Sequence, residues 1–160
     1  TQVRTSGRFA PFFAGLLLLT TGGCGGEAPR CTECPAVEGR YRLQFDTGAG
    51  VPPECALLGV EVPTGEVLDI ARSGENLTSR LAGVPVRGTI TTQGTFLMTG
   101  TGVPSANRTD TLTLTGSYLA PLTDGGTASI NGVLTGSYVR ASDTGGQRCN
   151  VNSPFSATRD

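Results

Sequence analysis

The sequence predicts an all-β domain: a small antiparallel barrel of eight strands in meander order, with a two-sheet β-sandwich as the alternative. Three observations lead there. Beyond residue 39, apolar and polar residues alternate with a period of two in segment after segment. The segments are short and Thr-rich, and turns drawing on the chain's 24 Gly separate them. No segment beyond the first thirty residues carries a convincing apolar period of 3.6. Eight sequential strands with short connections fit either architecture.

The strands follow in order. Tyr41, Leu43 and Phe45 alternate with Arg40, Arg42, Gln44 and Asp46, a half-buried first strand. A Gly- and Pro-rich loop through Pro52 and Pro53 carries Cys55. Residues 66–72 and 77–81 flank Ser73-Gly74-Glu75-Asn76, a hairpin turn. Val84, Val86 and Ile90 mark the fourth strand. Gln93-Gly94 turns the chain into Phe96 and Met98 of the fifth. Leu112, Leu114 and Tyr118 alternate with Thr111, Thr113 and Thr115, and Ala128, Ile130, Leu134 and Tyr138 share one face of the seventh. The last strand runs from about Cys149 to Arg159, interrupted near Pro154. Leu114-Thr115-Gly116-Ser117-Tyr118 returns as Leu134-Thr135-Gly136-Ser137-Tyr138, an echo too short to mark a repeat protein. Gly88, Gly100, Gly116, Gly132 and Gly136 lie inside strands, which predicts bulges or tight bends and favours the barrel.

The N-terminal stretch reads as an address. Arg4 and Arg8 precede an apolar run from Phe9 to Leu19, then small residues and Cys24. The run is about a dozen residues, short of the roughly 20 that cross a bilayer as a helix. The box Thr21-Gly22-Gly23-Cys24 resembles the lipobox of bacterial lipoproteins, with Thr21 where that class usually has Leu. The resemblance implies export, diacylglycerol on the Cys24 sulfur and cleavage before it. Gly25 and Gly26 stand where Asp marks inner-membrane retention, which points to the outer membrane. The expected organisation is a cleaved signal at 1–23, a lipid-anchored tether with a Cys pair at 24–38, and one β domain at 39–160.

Of the five Cys, acylation of Cys24 leaves Cys31, Cys34, Cys55 and Cys149, which can form two disulfides in an oxidising compartment. Three pairings are open. In a meander barrel the last strand pairs antiparallel with the first, so Cys149 comes near the loop bearing Cys55, and Cys31 and Cys34 lie at the opposite end beside Arg159. That favours Cys31–Cys34 with Cys55–Cys149. A redox or zinc role for Cys31-Thr32-Glu33-Cys34 lacks both a βαβ context and further ligands.

Gly39-Arg40-Tyr41 and Arg159 together resemble the Gly-x-Trp of the first strand and the late Arg of lipocalin-like barrels, with Tyr41 in the Trp position. The resemblance implies that Arg159 packs across the first strand.

Function is less legible. Twelve Arg balanced against 13 acidic residues give a net charge of −1, with no electrostatic footprint for nucleic acid. The chain has no His, so the Ser-His-Asp and Cys-His templates fail. The densest acidic stretch, Asp46, Glu54, Glu61, Glu66 and Asp69, reads as solvated surface. Asp124-Gly125-Gly126 and Asp143-Thr144-Gly145-Gly146 read as turns without the carboxylate series of a calcium loop. No enzyme, cofactor or metal site is expected. Two readings survive. A barrel interior could carry a small apolar ligand, with Tyr41, Tyr118, Tyr138 and Arg159 as its polar contacts. Alternatively, a packed scaffold could meet an envelope protein or glycan through its loops, especially 101–108 and 124–127.

Overall fold

The computed structural model describes residues 31–46, 50–105, 107–142 and 145–160. The signal, Cys24 and Asp143-Thr144 lie outside them. Eight strands follow one another: β1 (Gly39–Phe45), β2 (Val67–Ser73), β3 (Asn76–Leu81), β4 (Val84–Ile90), β5 (Thr95–Ser105), β6 (Arg108–Leu119), β7 (Ser129–Arg140) and β8 (Gln147–Arg159). Each pairs with its neighbour, and β8 returns to β1 to close a barrel. The closing ladder runs from Tyr41 opposite Arg159 to Phe45 opposite Phe155. One closed sheet sets aside the sandwich.

Alternation decides which side chains fill the barrel. Tyr41, Leu43 and Phe45 of β1 point inward, as do Leu68 and Ile70 of β2, and Leu112 and Leu114 of β6. All of them are buried. Eight strands enclose a space that side chains can just fill, and here the inward residues join in one buried apolar cluster. Phe45 and Phe155 meet across the β1–β8 seam with ring centroids 6.2 Å apart.

Four expectations change. Pro154 does not interrupt β8, which continues to Arg159. It lies one residue beyond the last β1 partner, Phe155, so an imino residue without an N–H is tolerated on that side. Residues 101–108 are mostly strand rather than loop, because β5 and β6 extend as one long hairpin. The loop after β1 contains a helical turn, α1 (Pro53–Leu57), with proline in its first turn. Finally, the strand glycines answer close approach more than bulging. A Cβ on Gly88 would strike the Leu97 carbonyl oxygen, and one on Gly132 the Thr115 carbonyl oxygen. The β5–β6 register shifts between Gly102 and Ser105.

The barrel has two ends. The proximal end carries the start of β1, the end of β8, the β2–β3 and β4–β5 turns and the β6–β7 loop. The distal end carries α1 and the β3–β4, β5–β6 and β7–β8 connections.

Candidate functional site

Residues 31–38 cross the proximal end and are fastened at several points. The Cys31 N–H donates to Glu75 Oε2 at 3.3 Å, in the β2–β3 turn. Cys31 and Cys34 form a disulfide, Cα to Cα 5.2 Å, within the usual range. Val37 is fully buried, and its carbonyl accepts the Tyr41 hydroxyl at 2.8 Å. Glu38 receives a two-pronged hydrogen bond from Arg72, at 2.6 and 3.1 Å. That guanidinium holds the Glu38 carboxyl below its ordinary value.

Arg159 gathers this end. Its Nη2 donates to the Tyr41 hydroxyl at 2.9 Å and to the Ala36 carbonyl. Its guanidinium carbon stands 5.4 Å from the Tyr41 ring centroid and 5.7 Å from that of Tyr118, within cation–π range. Gly39 has φ +142°, and a Cβ there would sit 2.8 Å from Arg159 Nε. Glycine thus provides both the backbone conformation and the room for the arginine. Burial pushes the Tyr41 hydroxyl pKa up, and the Arg159 hydrogen bond offsets part of that rise.

Beside Tyr118 a surface groove of about 400 Å³ opens along the β6–β7 loop, lined by Leu119, Ala120, Leu122, Thr127 and Ser129. Leu119 and Leu122 are exposed, Leu122 completely.

The distal end is built differently. Cys55 of α1 and Cys149 of β8 form the second disulfide, Cα to Cα 5.3 Å. Arg108 donates to both carboxylate oxygens of Asp110, at 2.7 and 2.9 Å, and to the Leu58 carbonyl at 2.9 Å. Arg140 donates to the same carbonyl at 3.0 Å. Asp110 is 1% exposed. The Arg108 guanidinium lies 5.6 Å from the Tyr138 ring. Desolvation raises the Tyr138 pKa, and the Asp110 charge adds to the rise. These bonds pin α1 over the distal opening.

Of the four residues expected to share a ligand site, Tyr41, Tyr118 and Arg159 therefore meet, whereas Tyr138 stands at the other end. Register gives the reason. Leu114 pairs with Leu134, and the strands run antiparallel from there. The echoed sequence accordingly carries Tyr118 to one end and Tyr138 to the other. Sequence reasoning missed Arg108 and Asp110. Their parity with Leu112 and Leu114 was the available signal.

The outer wall is asymmetric. On β5–β8, Thr99, Thr113, Thr135 and Asn152 form one row across the strands, and Thr101, Thr111, Ser137 and Asn150 another. Cross-strand hydroxyls bond at 3.1 Å between Thr99 and Thr113 and at 3.0 Å between Thr101 and Thr111. These rows hold no charged side chain, whereas Arg40, Arg42, Asp69, Arg80 and Arg87 stud the outside of β1–β4. Among the described residues, no group of three or more His, Cys, Asp or Glu could hold a metal ion. No described helix is long and apolar enough to cross a membrane. Comparison with known protein families, with curated proteins and with solved structures finds no match.

Proposed function

We propose that this chain is a noncatalytic binding or structural module of the bacterial cell envelope, anchored through acylated Cys24, with the outer wall of the barrel as its working surface. The observation that carries this reading is the single buried apolar cluster inside the barrel. Apolar side chains from all eight strands are buried inside the barrel, and Arg159 and Arg108 at its ends are engaged in fastening residues 31–38 and α1. An uncharged array of Thr, Ser and Asn on β5–β8 suits an uncharged partner, an envelope glycan or the neutral surface of an envelope protein, because no buried charge must be matched on contact. The lipobox-like segment supports the anchor and export, and the outer membrane as destination.

Capture from detergent-solubilised envelope tests this reading. The native chain should retain a partner that Thr113→Arg/Thr135→Arg loses, since two cations would stand unpaired in the contact. Equal capture by both proteins would rule out the β5–β8 face.

The Arg159 contact across Tyr41 favours a second reading, a lipocalin-like carrier of a small apolar ligand, with the groove beside Tyr118 as its seat. Native mass spectrometry separates the two. A co-purified mass lost on denaturation supports the carrier, and a bare, doubly disulfide-bonded mass supports the packed module.

A further inference from the structure

We infer that the β6–β7 loop is a membrane-contact element, which lays Leu119 and Leu122 into the surface of the bilayer that holds the anchor. The inference rests on acylation of Cys24. From Cys24 to Cys31 the chain advances seven residues, which span at most about 25 Å when fully extended. Cys31 is fixed at the proximal end by its bond to Glu75 and its disulfide to Cys34. The end bearing residues 31–38 is therefore the one held next to the lipid. The β6–β7 loop belongs to that same end, and it carries two of the five large apolar side chains that the described residues leave exposed.

The geometry suits shallow contact. Leu122 stands clear of the barrel, and Leu119, Ala120 and Pro121 continue an apolar surface toward the Tyr118 groove. A bilayer interface accepts such side chains while the turn around Asp124 stays in water. Among the described residues, the rim carries the acidic groups Glu33, Glu38, Glu75, Asp124 and Asp160, and its Arg72 and Arg159 are engaged by Glu38 and by Tyr41. Apolar contact rather than attraction to anionic headgroups drives the association, so added salt should leave it unchanged. Lipid acyl chains hold the protein, and the loop sets the angle at which the barrel stands.

The chain has no Trp, so Leu122→Trp places a single fluorophore at the contact and Val103→Trp places one on the outer wall toward the distal end. Each full chain, produced with its signal and purified from envelope, is reconstituted into phosphatidylethanolamine–phosphatidylglycerol vesicles. The Trp at position 122 should shift its emission to the blue and lose roughly half its intensity to lipids brominated high on the acyl chain, because interfacial side chains sit about 5–10 Å deep. The Trp at position 103 should do neither. An acylated, vesicle-bound protein whose Trp at 122 stays unquenched overturns the contact and leaves the anchor intact. A protein without acyl mass on the Cys24 peptide, left in the supernatant, overturns both. Emission already blue in dilute detergent, concentration-dependent and unquenched by brominated lipid, assigns the loop to a second copy of the chain and overturns the membrane contact.

Discussion

Asp110 is a carboxylate inside an apolar barrel, and Arg108 is what makes it tolerable. Removing one partner of such a pair strands the other charge. Asp110→Ala should therefore cost about 3–5 kcal/mol, whereas Arg108→Met/Asp110→Leu should fall well short of the summed single losses. Denaturant unfolding of the four proteins measures the coupling. The tyrosines offer a second test at this scale. Tyr41 and Tyr138 both have raised pKa values, chiefly through desolvation. In the unfolded chain they ionise near pH 10, while in the barrel they stay protonated longer. Their contribution to stability is thus complete below about pH 10 and is lost as pH climbs through the raised folded values. Tyrosinate absorbance followed alongside circular dichroism should show late ionisation coinciding with unfolding, and Tyr41→Phe should delay that loss. The inward place of Asp110 was legible from its parity with Leu112 and Leu114. Its Arg108 partner could be guessed from the same parity. The Leu58 carbonyl that completes the cluster lies 50 residues from Arg108, and no local pattern announces it.

Strands were the most legible elements, because a half-buried strand writes its burial directly into its sequence as alternation. Helix α1 was not, since five residues are too few to show a period. The glycines inside strands were read as bulges or bends, yet four of them, Gly88, Gly100, Gly116 and Gly132, mark places where a neighbouring strand's backbone comes too near for any side chain. Gly88 faces Met98 in the β4–β5 register, and a methyl there meets backbone that cannot swing aside. Gly88→Ala should destabilise by about 1–3 kcal/mol or more, beyond any gain from restricting the unfolded chain. Ala in place of Gly50, which has open space around it, is the control. Thermal unfolding of the two variants should separate them clearly.

At the scale of the whole molecule, closure of the sheet was an inference from strand number and turn length, and the disulfides followed from it. The meander brought Cys55 to Cys149 across 94 residues. The same topology hid the divergence of Tyr118 and Tyr138, since only the register shows that an echoed sequence on antiparallel strands points two ways. Losing the long bridge through Cys55→Ser/Cys149→Ser should cost about 2–5 kcal/mol, read from the denaturation midpoint. The pairing also carries a consequence for biogenesis. Counted from the N-terminus after Cys24, the first cysteine joins the second and the third joins the fourth. An oxidase that links thiols in the order they emerge from a translocon makes this connectivity without correction. A free thiol at Cys24 would shift that count by one and set Cys24 against Cys31 and Cys34 against Cys55. Acylation of Cys24, as proposed, would then be a folding step as well as an anchor. Cells lacking a disulfide isomerase should mature the acylated protein normally, and blocking acylation should make its folding isomerase-dependent.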